Sequence, residues 1–285
     1  MPAEWEPHEG TILTWPHDEH HWPGLFEYIP AIWARMVKEL EVGEDVHIVT
    51  HNQELEDAVR TELTKAKVHG NRVFFHQIPS NFAWARDHGP IVIKNDAGER
   101  LFLNWKFNAH GNQWEHNFDD EIPSLLANDM KMKARKIDMV LEGGSIDVNG
   151  KGTLLTTEDC LLNPNRNPEK SKEQIEAILK QELGVTNVLW LGRGIAGDDT
   201  IGHIDDLTRF VGPKTVLTIV HNDPEDRDYK PLQENLERLQ TMKDQDGNPL
   251  EIITLTQPKP VYVSEHEPTK ATVTEKEGFR IPASY

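Results

Sequence analysis

The sequence predicts an α/β fold that is assembled from small repeated modules. Short β-prone segments alternate with longer segments whose apolar residues recur at helical spacing. The order strand, strand, helix, strand recurs about every 50–60 residues, and a period of that size favours modules around an axis over one open sheet. Because no Ser/Gly linker or low-complexity run divides the chain, residues 1–285 are predicted to form a single domain.

In the first part of the chain, predicted strands alternate with predicted helices. Apolar β-branched runs such as VHIVT indicate buried strands, and the longer segments between them show helical spacing. Pro30 should lie in the first turn of its helix or kink it, because proline disrupts a helix interior. The predicted elements in this part are strands at 11–15, 46–50 and 73–78 and helices over 23–41 and 53–67.

Three hairpins are predicted in the remainder of the chain. The turn-forming segments NDAGE, NGKG and GPK each lie between two β-prone runs: PIVIK and RLFLNWKF, SIDV and TLLTT, and LTRFV and TVLTIV. After each hairpin the residue spacing predicts one helix and one further strand. These pairs are 118–130 with IDMVL, 169–183 with 187–191, and 225–243 with 250–256.

Composition excludes several classes of protein. Lys and Arg number 30 against 48 Asp and Glu, so the net charge is −18, which argues against nucleic acid or an anionic membrane as partner. An acidic surface attracts small cations, although solubility alone also explains the acidity. The single cysteine excludes a disulfide within the chain, and no run approaches the ~20 apolar residues of a membrane span. With a polar, acidic N-terminus instead of a secretory signal, the expected compartment is the cytoplasm.

The densest group of polar residues is GDDTIGHIDDLTRFV (197–211). A strand is expected to begin near Ile204, which would direct His203 and Asp205 to the same face because alternate side chains of a strand do so. An imidazole beside a carboxylate is suited to acid/base chemistry with an anionic binding group. A divalent metal site and a solvated acidic loop are the alternatives from composition alone.

Two further segments carry candidate binding residues. In NFAWARDHGPIVI (81–93), Asp87 lies in a loop just before a strand and Trp84 could stack on a planar cation; alternatively, Asp87 only pairs with Arg86 at the surface. In MVLEGGSIDV (139–148), Glu142 ends an apolar strand, where it could hydrogen-bond a catalytic histidine. The two glycines that follow allow either close approach to a ligand or an ordinary turn.

Two weaker signals favour structural roles. Leucines follow Cys160 directly, which indicates a buried and inert thiol. The run HDEHH (17–21) could bind a metal, but its residues crowd together without the spacing of a preformed site, so a solvated loop is the better interpretation.

Taken together, these segments resemble the agmatine deiminase family, also called the bacterial peptidylarginine-deiminase-like family. The resemblance covers the whole chain in order. It rests on PAEWEPHEGTILTWP (2–16), WARDHGP (84–90), NWKFNAHG (104–111), EGGSIDVNGKGTLLTTEDCLLNPNRNP (142–168), GDDTIGHIDDLTRFV (197–211) and IPASY (281–285). It implies the pentein fold, in which five ββαβ modules surround a pseudo-fivefold axis.

The resemblance also implies an activity, the hydrolysis of a guanidino group to a ureido group with release of ammonia. Agmatine would become N-carbamoylputrescine on a route to putrescine, without a metal or other cofactor. Asp87 and Asp205 match the two guanidinium-holding aspartates, since carboxylates pair bidentately with this planar cation. His203 matches the general acid/base, Glu142 the acid that orients it, and Trp84 an aromatic wall of the substrate pocket.

Several positions depart from the family pattern. His110 and Ile201 are expected to reshape the pocket, and His88, Asp147 and Asp206 also differ from residues that are common in relatives. The family's nucleophilic cysteine lies beyond the segment that matches IPASY, and Cys160 matches a non-catalytic position. The 285 residues alone are therefore expected to bind guanidinium weakly and to turn over little, the last module being incomplete.

Other functions remain open at this point. Arginine and peptidyl-arginine present the same guanidinium as agmatine, and relatives are often oligomers. A non-catalytic homologue that binds cationic amines, and a metal-binding protein that uses HDEHH and GDDTIGH, are the other candidates. Extending the reading frame past Tyr285 to a Gly-rich segment with cysteine would support the enzyme, and a stoichiometric divalent metal would support the last alternative.

Overall fold

Five small sheets make up the framework of the described part of the chain. The computed structural model describes residues 1–22, 24–263 and 279–281. The strands are β1 (Gly10–Thr14), β2 (Asp45–Thr50), β3 (Val73–Gln77), β4 (Ile91–Lys94), β5 (Arg100–Lys106), β6 (Ala134–Val140), β7 (Asp147–Val148), β8 (Thr153–Thr157), β9 (Asn187–Leu191), β10 (Thr208–Phe210), β11 (Thr215–Val220), β12 (Glu251–Thr256), β13 (Val261–Val263) and β14 (Phe279–Ile281).

Helices connect these strands. They are α1 (Ile29–Leu40), α2 (Gln53–Ala66), α3 (Ala85–His88), α4 (Ala109–Asn112), α5 (Ile122–Asp129), α6 (Glu158–Leu161), α7 (Lys172–Leu183) and α8 (Tyr229–Thr241). None of the described helices is both long and apolar enough to cross a membrane.

Three of the sheets have the predicted strand, strand, helix, strand order. In β4-β5-β6, β7-β8-β9 and β10-β11-β12 the first two strands pair antiparallel, as a hairpin does, and the third pairs parallel after a helical crossover. The sheet β1-β2-β3 departs from this pattern and is entirely parallel, because α1 and α2 each return the chain to the same end. The strands β13 and β14 form an antiparallel pair.

Helix boundaries follow local chemistry more closely than apolar spacing. Helix α1 begins at Ile29 with Pro30 in its first turn, and a 3₁₀ turn at Phe26–Tyr28 precedes it, so the α-helix starts later than the expected span 23–41. Residue 23 itself lies outside the described residues. Helix α2 begins where the Asn52 side chain accepts the Leu55 N–H, and α7 begins with a capping box of Ser171 and Gln174. Of the segment IPASY, only Ile281 lies within the described residues.

Apolar packing fixes the ends of these strands, where the candidate residues lie. One buried cluster joins the second and third sheets and includes Leu103, Met139, Leu141, Leu154 and Cys160. It holds β6 and the end of α6 in place. The loops that leave β6, precede α3 and follow β9 therefore depart from a rigid core, which suits them to position side chains.

Candidate active site

Asp87 is presented by a single helical turn. Helix α3 follows Trp84, and Gly89 ends it at a point where a Cβ would lie 2.3 Å from the carbonyl oxygen of Ala85. The Asp87 side chain is 11% exposed. Its neighbour Arg86 pairs with Glu4 and with Asp205 instead, so the alternative of an Asp87–Arg86 surface pair does not hold.

The glycine pair of EGGS allows the backbone to approach the site closely. A Cβ on Gly144 would lie 2.4 Å from Nδ1 of His203 and 2.8 Å from Oδ1 of Asp87. A Cβ on Gly143 would lie 2.0 Å from the carbonyl oxygen of Arg86. Such distances are shorter than van der Waals contact, so both positions exclude any side chain. Of the two interpretations of these glycines, the structure favours close approach, here to protein side chains.

His203 and Asp205 lie on a turn that precedes β10. The expected strand near Ile204 begins only at Thr208, so the argument that placed both side chains on one extended face was wrong. They meet because the turn is held over Gly144, whose carbonyl accepts the Asp205 N–H at 3.3 Å. Nδ1 of His203 lies 3.6 Å from Oδ1 of Asp87 and 4.0 Å from Oδ1 of Asp205.

The acidic loop before His203 has a structural role. Asp198 accepts the N–H groups of Thr200 at 2.8 Å and of Gly202 at 2.6 Å, so its carboxylate holds the loop closed. Ile201 adopts the left-handed region with φ 66°, which is unfavourable for a β-branched residue. The solvated acidic loop that composition alone allowed is not what forms here, since His203 is only 2% exposed.

Glu142 is fully buried and paired with an arginine that the sequence did not single out. Oε1 of Glu142 accepts a hydrogen bond from Nε of Arg166 at 2.7 Å, and both side chains are completely enclosed. The Arg166 guanidinium also donates to the Thr200 carbonyl at 2.8 Å, which links Glu142 to the loop of His203. The available signal was that Arg166 is the one charged residue of NPNRNP (163–168).

The expected hydrogen bond from Glu142 to His203 is not formed, although the two groups are close. A carboxylate oxygen of Glu142, a ring nitrogen of His203 and Sγ of Cys160 all lie within 4.8 Å of one another. Oε2 of Glu142 and Nε2 of His203 are buried and make no hydrogen bond within the described residues. Cys160 is buried as predicted, and burial raises the pKa of its thiol well above the usual value.

Burial and charge act differently on the two aspartates. Burial raises the pKa of Asp87, but the charge of His203 and the hydrogen bonds of His110 and Gly144 outweigh it and hold that pKa well below its ordinary value. Burial raises the pKa of Asp205, and the nearby His203 and Arg86 only partly offset it. A cation that enters beside Asp205 would therefore favour its charged form.

Trp84 lies at the solvent side of this group. It is 38% exposed, and its ring lies 5.5 Å from that of Trp22. It precedes Asp87 by three residues across one helical turn, a position from which an indole can cover a cation held at the carboxylate.

The remaining departures from the family pattern divide between core and site. His88 is buried, and burial lowers its pKa to about 4, so it behaves as a neutral core residue. Asp147 is also buried beside Arg209, and burial raises its pKa to about 6. His110 reaches the site, where its Nε2 lies 3.3 Å from Oδ2 of Asp87.

Two groups of side chains in the described residues could hold a metal ion. They are Asp87 with His110 and His203, and Glu142 with Cys160 and His203. Neither group includes residues 17–21. There His20 bonds to Asp18, and His21 stacks on Phe82 with ring centroids 4.1 Å apart. The HDEHH segment is therefore partnered within its own loop and by a neighbouring aromatic side chain.

Comparison with known proteins gives a consistent result. The model of the family described as Porphyromonas-type peptidyl-arginine deiminase matches residues 1–285. The chain is 34% identical to an agmatine deiminase of Ectopseudomonas mendocina (strain ymp) over 289 residues, which cover 99% of this chain and 77% of the relative.

Two solved structures are similar over the same extent. An agmatine deiminase of Enterococcus faecalis aligns with TM-score 0.87 and 32% identity, covering 100% of this chain and 79% of that one. A cysteine-to-serine variant of a C. jejuni agmatine deiminase with substrate bound aligns with TM-score 0.82 and 32% identity, covering 99% and 77%.

Proposed function

Because the chain belongs to the Porphyromonas-type peptidyl-arginine deiminase family, we propose that it is a hydrolase of C–N bonds in linear amidines that acts on agmatine. The products are N-carbamoylputrescine and ammonia, on a route to putrescine. The fold expected from the sequence is confirmed by the similarity to agmatine deiminase structures: it is the pentein fold.

One observation supports a guanidinium site above all others. Two largely enclosed carboxylates, Asp87 and Asp205, lie 3.6 and 4.0 Å from the imidazole of His203, over the bare backbone of Gly144. Guanidinium is planar, permanently charged and a fork of N–H donors, and carboxylates are its best partners. In a desolvated site each such contact is stronger than in water.

The proposed roles follow from this arrangement. Asp87 and Asp205 hold the cation, and Trp84 covers it from the solvent side. His203 is placed to give a proton to ammonia as it leaves the adduct formed by the attacking nucleophile. It then takes a proton from the water that displaces that nucleophile and supplies the new C–O bond. Glu142, fixed by Arg166, positions the loop of His203 and supplies negative charge near its ring.

The covalent route that the resemblance implies also needs an attacking thiolate. Cys160 does not suit this role, because it is fully buried in the core and burial disfavours its ionised form. Binding and proton transfer are therefore the roles of Asp87, Asp205 and His203, and Cys160 is not the nucleophile.

Calorimetry with agmatine tests the binding site directly. Asp87→Asn and Asp205→Asn should each weaken binding roughly 30-fold or more, since each removes one charge of a buried pair. Asp138→Asn is the matched control, because that side chain is 87% exposed and pairs with Lys106. Equal affinity in all four proteins would reject the site.

Product analysis then separates the remaining functions. Agmatine, free arginine and a peptide with an internal arginine are each incubated with the protein, and ureido product is measured. Turnover that His203→Ala abolishes supports the enzyme, and a preference for the peptide supports a peptidyl-arginine deiminase. Binding without turnover supports the non-catalytic guanidinium-binding homologue.

Three expectations from the sequence remain predictions. A single domain over 1–285 predicts one cooperative unfolding transition. A homo-oligomer predicts a mass in light scattering that is a multiple of the 32.6 kDa chain. A cytoplasmic location predicts recovery in the cytosolic fraction.

A further inference from the structure

His110 occupies one oxygen of the carboxylate that is proposed to hold substrate. Its Nε2 lies 3.3 Å from Oδ2 of Asp87, and its side chain is only 6% exposed. Its ring also meets that of His203 edge-on at 5.5 Å between centroids. The imidazole therefore lies within the site itself.

The backbone is strained where it presents this imidazole. Ala109, His110, Gly111 and Asn112 all have positive φ, at 46°, 56°, 91° and 63°, although helix α4 contains only one glycine. The left-handed conformation is unfavourable for residues other than glycine, because the Cβ crowds the following carbonyl oxygen.

Hydrogen bonds from two other loops hold the strained turn in place. Nδ2 of Asn108 donates to the Asn165 carbonyl at 2.9 Å. Gln113 donates to the carbonyls of His110 at 2.9 Å and Asp199 at 2.6 Å. These hydrogen bonds thus maintain an unfavourable backbone conformation, and that conformation places His110 in contact with Asp87.

Titratable and charged groups from the neighbouring elements surround His110. Asp87 and His88 lie on α3, Glu142 follows β6, Arg166 lies near Gly111, and Asp199 and His203 lie on the loop before β10. Burial opposes a charge on His110, but the hydrogen bond and charge of Asp87, with Glu142 and Asp199, outweigh burial and raise its pKa. When it is protonated, the ring is a built-in cation on Asp87.

We propose that His110 couples guanidinium binding to proton release: the bound cation takes Oδ2 of Asp87 from His110, which leaves as the neutral imidazole. This inference rests on the proposed guanidinium site. Two cations cannot share one buried carboxylate without strong repulsion, so the proton is lost as the ligand enters. Below the pKa of His110, affinity should rise about tenfold per pH unit, and above it affinity should be independent of pH.

Calorimetry in buffers of different ionisation enthalpy measures this coupling, with agmatine as the probe. The dependence of binding enthalpy on the buffer gives the protons released, which should approach about one per agmatine at pH below the pKa of His110 and fall toward zero above it. His110→Gln keeps a donor for Asp87 but cannot titrate, so it should release almost none. His20→Gln is the matched control, because that ring is 86% exposed and its hydrogen bond is to Asp18, away from the site.

Each outcome decides between the proposals. Agmatine binding without proton release, or equal release by wild type and His110→Gln, overturns the coupling and leaves the guanidinium site intact. Equal release would assign the proton to another group of the site, Asp205 or His203. Absence of binding by agmatine, arginine and guanidinium ion overturns the site and the coupling together. Loss of release in His110→Gln, with release retained in His20→Gln, supports the coupling.

Discussion

Replacing Arg166 by methionine should destabilise the protein strongly. The guanidinium and the Glu142 carboxylate are both 0% exposed and joined at 2.7 Å. Arg166 also donates to the Asn165 side chain at 2.9 Å and to the Thr200 carbonyl at 2.8 Å. Methionine fills much of the volume but leaves Glu142 as an uncompensated buried charge, which costs about 3–5 kcal/mol. Urea unfolding followed by circular dichroism measures that loss.

Two comparisons make the result interpretable. The double variant Arg166→Met with Glu142→Leu removes both charges and should recover most of the lost stability. Lys106→Met breaks an ion pair with Asp138 whose side chains are 58% and 87% exposed, so it should cost less than about 1 kcal/mol. A loss below about 1 kcal/mol for Arg166→Met, or a double variant less stable than the single one, would refute the reasoning.

Three further changes probe the same region. Gly144→Ala should abolish agmatine binding in calorimetry and cost about 1–3 kcal/mol, whereas Gly43→Ala, with open space at its Cβ, should leave binding unchanged. Ile201→Asn should be about 1 kcal/mol more stable to urea than Ile201→Thr, because asparagine tolerates φ 66° and a β-branched residue does not; equal stability would contradict this. Burial raises the pKa of Asp119 from 3.8 to about 7. Between these two pH values the folded protein holds a proton that the unfolded chain releases, so the free energy of unfolding should fall as pH rises, by up to about 1.4 kcal/mol per pH unit. Asp119→Asn should lose this pH dependence.

The modular order of the fold could be predicted because each hairpin carries its own turn residues. NDAGE, NGKG and GPK each lie between two β-prone runs, and the observed antiparallel pairs form around them. The first sheet has no such hairpin, and its parallel pairing is a property of the two crossovers. A period read from three modules therefore described the middle of the chain better than its beginning.

Convergence of the site could be predicted only in part. Sequence spacing identified Asp87, Glu142, His203 and Asp205 as separate candidates, and their proximity depends on close backbone approach at Gly144. Apolar periodicity carries no information about such a contact, since the contact is possible only because glycine has no Cβ. Arg166 was missed for a similar reason: its partner lies 24 residues earlier in the chain, and only the fold makes Glu142 a buried acid that needs a cation.

The balance of charge explains why so acidic a site can remain folded. Glu142 has Arg166, Asp205 has Arg86, and Asp87 has two imidazoles, so each buried carboxylate meets a cation from another segment of the chain. Arginine cannot leave with a change of pH, but an imidazole can lose its proton near neutrality. Among these three acids, Asp87 is therefore the one that can exchange its internal partner, the imidazole of His110, for an external cation. The imidazole loses its proton in this exchange, so no charge is left unpaired inside the protein.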